Sequence, residues 1–169
     1  MRTLVVYESM FGNTAAVAAA IAAALEPAGP VRLELADARP AVGDAELVVV
    51  GSPTHGFALP SRLSRRAAQA QGADASAAAR SGIREWLAAL EPTDDAAGRP
   101  PFAAAFDVRQ APGSAGAPSH RVRRRLDRLG FRVVGEPASF HVGPTAGPLR
   151  DGELDRASAW AEALHGLVR

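Results

Sequence analysis

The sequence predicts an α/β domain built on a doubly wound, five-stranded parallel sheet with strand order 2-1-3-4-5. Three observations predict it. Apolar runs of strand length alternate with longer segments whose apolar residues recur at helical spacing. The runs Leu4, Val5, Val6 and Leu47, Val48, Val49, Val50 have no polar interruption, as expected of strands covered on both faces. The loops after those two runs, 8–14 and 52–60, are rich in Gly, Pro and hydroxyl residues. In this strand order both lie outside the carboxyl ends of the strands, where the chain reverses direction across the sheet and ligands bind.

The elements follow in order. Residues 2–7 form strand 1, and residues 13–25 form helix 1, with Val17, Ile21 and Leu25 in one stripe. Pro27, Gly29 and Pro30 end that helix. Val31, Leu33 and Leu35 alternate with Arg32 and Glu34 and predict a less buried strand near an edge. Residues 37–44 connect it to strand 3, Leu47 to Gly51, which is central by its apolar run. Residues 61–80 are small and polar and predict a long surface excursion, helical in part. Ile83, Leu87 and Leu90 mark the next helix, with Ser81 as its cap and Pro92 as its stop. Residues 101–107 form strand 4, and 108–118 a Gly- and Pro-rich loop. Val122, Leu126 and Leu129 mark helix 4. Residues 131–134 and 138–142 make a split or bulged strand 5, and 143–152 a turn. Leu154, Ala157, Ala161 and Leu164 mark the last helix.

Composition narrows the function classes. The chain has 169 residues in one domain, 1–169, with 47% hydrophobic and 22% charged residues and a formal net charge of +1. That balance argues against nucleic-acid or membrane partners. Absence of Cys removes disulfides, thiol chemistry and thiolate metal sites. The first residues are too short an apolar run for a signal peptide, so a cytoplasmic protein is the expectation. Every basic residue is Arg, which fits a GC-rich coding bias and lowers the weight of any single Arg or Ala. His120, His141 and His165 have no metal-ligand spacing. There is no Gly-Lys-Ser/Thr, hence no P-loop. A receiver domain would need a Lys after strand 5, so Glu8 at the end of strand 1 does not make a phosphoacceptor site. Arg121, Arg124, Arg125 and Arg128 share one side of helix 4 and read as a solvated face. Arg62, Arg65 and Arg66 lie nearer the crevice, as an anion-receiving group or a surface loop.

The first loop carries the chemistry. Ser9-Met10-Phe11-Gly12-Asn13-Thr14 joins a strand to a helix N-terminus, whose first N–H groups have no internal partner and carry partial positive charge. Such a turn holds a phosphate without Lys or Arg. Ser9, Asn13 and Thr14 add side-chain hydrogen bonds, and Gly12 admits close backbone approach. The bland alternative is that Asn13 or Thr14 only caps helix 1.

These residues resemble a flavodoxin. The flavin-phosphate loop of that family is a hydroxyl-rich turn after strand 1 ending in Gly-x-Thr, as in Ser9 to Thr14. Gly51-Ser52-Pro53-Thr54-His55-Gly56 is similar to the family's second loop, and residues 81–87 resemble a helix of single-domain flavodoxin-like proteins of high-GC bacteria. The resemblance implies a non-covalent FMN. Its phosphate would sit on Ser9, Met10, Phe11, Gly12, Asn13 and Thr14. Its ring would lie between Ser52, Pro53, Thr54, His55, Gly56 and Phe57 on one side and the loop after strand 4, with Asp107, Arg109 and Gly113, on the other. Gly56 would allow a peptide of the second loop to turn toward the ring. The chain departs from the family in three ways: it is near neutral rather than acidic, with a sequence pI of about 8.5, and His55 and Phe57 are the only aromatic candidates beside the ring. The loop after strand 4 also lacks an aromatic. The expected function is electron transfer with redox partner proteins, as a monomer. An FMN-dependent NAD(P)H:quinone-type oxidoreductase and a flavodoxin-fold module that has lost flavin are the alternatives.

Overall fold

The computed structural model describes residues 1–54, 59–73, 81–91, 94–95, 97–110, 117–143 and 147–168. Six strands form one parallel sheet: β1 (Thr3–Tyr7), β2 (Val31–Leu35), β3 (Leu47–Pro53), β4 (Phe102–Gln110), β5 (Arg132–Val133) and β6 (Ala138–Val142). Their order is β2-β1-β3-β4-β5, with β6 also pairing β4. The predicted split of strand 5 is visible in the register. Phe102 of β4 faces Arg132, but Phe106 faces Ala138, so two extra residues bulge out between β5 and β6.

The helices are α1 (Asn13–Leu25), α2 (Arg62–Ala70), α3 (Ile83–Ala89), α4 (Pro118–Arg128) and α5 (Glu153–Leu167). Alternate residues of the central strands feed two cores. Leu4, Val6, Val48 and Val50 pack with Ile83, Trp86, Val122 and Leu126 of α3 and α4. Val5, Leu47 and Val49 pack with Val17 and Ile21 of α1 and Ala161 and Leu164 of α5 on the other face. Burial on both faces is why β1 and β3 read as unbroken apolar runs. The outer strand β2 leaves Arg32, Leu33 and Leu35 exposed, as an edge allows.

Several boundaries differ from expectation. β4 runs to Gln110, so Asp107 and Arg109 lie within the strand rather than in the loop after it. The buried carboxylate of Asp107 interrupts the apolar pattern, and its strand hydrogen bonding to β3 and β6 continues regardless. Residues 62–70 are the helical part of the predicted excursion, opened by a Ser61–Ser64 capping box, and with Arg65 and Ala68 buried they do not lie wholly at the surface. The cap of α3 is Gly82 rather than Ser81. Leu154 is exposed at 44%, so the apolar face of α5 starts at Ala157. Pro92 lies outside the described residues.

Gly51 marks a close approach in the centre of the sheet. A Cβ there would fall against the Phe106 ring, which itself packs edge-to-face on Phe140 and Trp160. Gly51→Ala is expected to cost about 1–3 kcal/mol in urea unfolding. Pairing it with Phe106→Leu should recover part of the loss, because the two changes meet at one contact. An unchanged unfolding midpoint for the single variant would mean that the ring has room to move.

Candidate functional site

The site is built where β1 and β3 end side by side. Tyr7 pairs with Gly51, and the Glu8 N–H donates to the Gly51 carbonyl at 3.1 Å, carrying the pairing one residue further. The chain then turns through Gly12, whose φ of 84° is a left-handed conformation that other residues adopt only with strain. The Ser9 hydroxyl oxygen accepts from Ala15 N–H at 3.2 Å, and Gly12 carbonyl accepts from Ala16 N–H at 3.0 Å. Asn13 and Thr14 therefore stand ahead of the first i→i−4 bond of α1, at its positive end. Thr14 is buried, Ser9, Phe11 and Asn13 are half-buried, and Gly12 is exposed.

A buried ion cluster anchors this turn from behind. Arg65 of α2 is the bulkiest fully buried side chain among the described residues, with 1% of it exposed. Its Nε donates to Glu8 Oε1 at 2.7 Å and its Nη2 to Glu8 Oε2 at 3.3 Å. The same guanidinium donates to Glu85 through Nη1 at 3.1 Å and Nη2 at 2.8 Å. Backbone donors complete the cluster: Ile83 N–H to Glu8 Oε2 and Gly82 N–H to Glu85 Oε2, both at 2.9 Å. Burial opposes the charge on Arg65, but the bonds to Glu85 and Glu8 outweigh it and hold the guanidinium more firmly protonated than usual. Burial likewise pushes Glu85 up. Its bonds from Arg65, Gly82 N–H and its own N–H, with the Arg65 charge, overcome that and leave its pKa at about 2.

The second anchor of the turn is apolar. Met10, 5% exposed, packs on Ala68 of α2 and on Ala73, with Phe11 at the rim. Arg65 and Ala68 share a face of α2 at i, i+3, so one helix grips both Glu8 and Met10. A further wall comes from the turn after β6. Gly143 N–H donates to Pro148 carbonyl at 2.9 Å, and Arg150 N–H to His141 carbonyl at 2.9 Å. This fold-back sets Gly147 so close to the Asn13 side-chain amide that a Cβ would lie 2.7 Å from its Nδ2.

At the ends of β3 and β4, Ser52 is fully buried and its hydroxyl donates to the Pro53 carbonyl at 2.9 Å. Thr54 N–H donates to Val108 carbonyl at 3.0 Å, while the buried Thr54 Oγ1 has no hydrogen-bond partner among the described residues. Asp107 is fully buried. Its Oδ2 accepts from Ser119 N–H at 3.1 Å and Ser119 Oγ at 2.5 Å, so the carboxylate of β4 caps the start of α4. Arg109 Nε lies 3.7 Å from Asp107 Oδ1. His55, Gly56, Phe57 and Gly113 lie outside the described residues.

The structure thus brings Ser9 to Thr14 together with the ends of β3 and β4, and it adds three residues that the sequence did not single out: Glu85, Gly82 and Gly147. Arg65, expected in an anion-receiving group or a surface loop, is instead buried and bonded to Glu8 and Glu85. Its pairing had a signal. A carboxylate such as Glu8, directly after a central strand, needs a cation, and Arg62, Arg65 and Arg66 were the group predicted nearest the crevice.

The parallel sheet with helices on both faces and its strand order place the chain in the doubly wound α/β class. Within that class, the chain has the flavodoxin fold. It superposes on oxidised flavodoxin 1 from Bacillus cereus with a TM-score of 0.69, covering 98% of each chain at 16% identity. A flavodoxin from the domain Archaea gives a TM-score of 0.66 over 99% of each chain at 21% identity. Rubredoxin oxygen:oxidoreductase from Desulfovibrio gigas gives 0.63 at 16% identity, with 99% of this chain covering 36% of that one. No protein-family model and no curated protein sequence matches the chain.

Two outcomes follow from the ion cluster. A Cβ on Gly82 would collide with the Glu8 carboxylate and sit 2.5 Å from Arg65 Nη2. Gly82→Ala should therefore cost about 3–5 kcal/mol, the scale of breaking a buried ion pair, in chemical unfolding. The sign of the pH effect follows from Glu85, whose folded pKa of about 2 lies below its ordinary 4.5. Its contribution is complete above about pH 4.5 and is lost as pH falls toward 2. The stability gap between the native chain and Glu85→Gln should narrow over that window; a constant gap from pH 6 to 3 would remove Glu85 as a source of acid sensitivity.

Proposed function

We propose that this chain binds FMN non-covalently and serves as an electron-transfer protein. The observation that carries the proposal is the turn from β1 into α1. Its left-handed Gly12, the Ser9 hydroxyl bonded to Ala15 N–H and the buried Thr14 form a neutral donor set at the positive end of a helix, suited to a phosphate. No cation lies within residues 8–14, and the one carboxylate there, Glu8, is turned away and paired with Arg65.

FMN would supply the redox chemistry when bound. The residues of this chain would bind and orient it. The backbone of Met10, Phe11, Gly12, Asn13 and Thr14, with the hydroxyls of Ser9 and Thr14, would take the phosphate. Ser52, Pro53, Thr54, His55, Gly56 and Phe57 would flank the ring, and Thr54 Oγ1 supports this, because that buried oxygen has no partner among the described residues and a ligand edge would give it one. Gly113 would belong to the opposite wall. Asp107 and Arg109 would act from within β4, Asp107 by fixing the start of α4. The fold shared with flavodoxins supports the same ligand. Redox proteins would be the partners, with the chain acting as a monomer. Among the described residues no helix is long and apolar enough to cross a membrane.

The test is the visible absorption of the purified protein after incubation with excess FMN and desalting. A retained flavin band is expected, with affinity falling about 10- to 100-fold when Ser9 and Thr14 are both changed to Ala. Photoreduction of the loaded protein would then separate single-electron from two-electron behaviour. A folded protein that retains no flavin would overturn the proposal.

A further inference from the structure

We infer that Arg65 is a positioning residue of the anion loop: by clamping Glu8 it fixes where Ser9 to Thr14 present their donors. The inference takes the identity of the ligand from the flavin proposal, but the positioning itself stands on geometry.

Glu8 is the last residue held by the sheet, and Ser9 is the first of the loop. Both Glu8 oxygens are fixed by Arg65, and Oε2 also by Ile83 N–H. The loop therefore cannot shift at its root without breaking bonds to a guanidinium that is 1% exposed. One turn further along α2, Ala68 holds Met10 from the same side. At its far end the loop is tied by Ala15 N–H to Ser9 Oγ. Phosphate recognition by neutral donors depends on convergence of several groups, so a loop of this kind is only as selective as its anchoring.

Charge gives Arg65 a second part. Without it, Glu8 would place an unpaired carboxylate one residue from the donors meant for an anion. Arg65 pairs that carboxylate, and its own fork is spent on Glu8, Glu85 and the Pro60 carbonyl, at 3.5 Å, which leaves it positioning rather than ligating.

The test uses Arg65→Lys, which keeps the charge but loses the planar fork, and Glu85→Gln, which loosens Arg65 from its less buried side and keeps the test open should Arg65→Lys fail to fold. The first measurement is amide hydrogen exchange without ligand. Residues 9–16 should exchange at least about tenfold faster in the variants, while amides of β4 and α5 keep their native protection. The second is the dissociation constant of FMN beside that of riboflavin, which has the same ring and no phosphate. FMN affinity should fall at least about tenfold with riboflavin affinity unchanged.

Loop exchange identical to the native chain in a folded variant would overturn the inference. So would equal weakening of FMN and riboflavin, which marks a general loss of structure. If the native chain binds neither flavin, the functional proposal fails by itself, and the exchange data still decide whether Arg65 positions the loop.

Discussion

A guanidinium with 1% of its side chain exposed is the constraint around which this end of the molecule is arranged. Removing such a charge from water costs several kcal/mol even after relaxation, so it must be met by excellent geometry. Two carboxylates from distant parts of the chain meet it, Glu8 at the end of β1 and Glu85 in α3. Each also accepts a backbone N–H at the start of α3, and Gly82 leaves the room that Glu8 and Arg65 need. Three segments far apart in sequence are thereby locked into one arrangement. Pairs of this kind add little net stability over a well-packed apolar core. They do set a high penalty on alternatives, since any other packing strands a charge.

The rest of the crevice is rigid for more ordinary reasons. Its floor is the ends of β1, β3 and β4, pinned from both faces by the two cores. The turn that follows β1, residues 8–14, is a short departure from its strand rather than an independent structure. Asp107 extends the same logic to α4: a strand residue caps the helix that follows, so the connection between them starts and ends at fixed points. Donors mounted this way are organised before any ligand arrives, which spares the ordering cost that weakens a floppy site.

How much of this was legible in the sequence depended on whether burial was apolar. The Val17–Ile21–Leu25 stripe and the alternation in β2 give elements with the right bounds, and the unbroken runs place β1 within one residue and the start of β3, because water exclusion writes them directly; β3 runs on through Ser52 and Pro53, where the apolar run has ended. α2 is legible only as the helical part of a surface excursion, because its inward face carries Arg65 and Ala68, and an arginine in a core looks like surface to any hydropathy pattern. The same blindness ended strand 4 at Asp107, three residues early, since a buried carboxylate reads as a loop. In α5 the error ran the other way, with exposed Leu154 counted as core. The turn from β1 into α1 is readable as a turn, because hydroxyls and glycine at a strand-to-helix junction have a local cause. Its anchors are not, because they come from α2, α3 and the turn after β6, and only the fold brings these together.

That division explains why the turn holds no cation of its own. An arginine inside residues 8–14 would give an anion more attraction, but also a long flexible donor whose ordering offsets part of the gain. Here the arginine sits behind the turn instead, its single charge shared by two carboxylates, and the turn itself offers the end of a helix dipole and hydroxyls on short side chains. Neutral donors select by geometry and not by charge alone, so sulfate, phosphate and a phosphate ester would differ in how many of them each can satisfy at once. Selectivity then belongs to the placement of the turn, and placement is set by Glu8. Under the proposed function, the residue nearest the site with a negative charge would thus serve anion binding at this turn, on condition that Arg65 stays where it is.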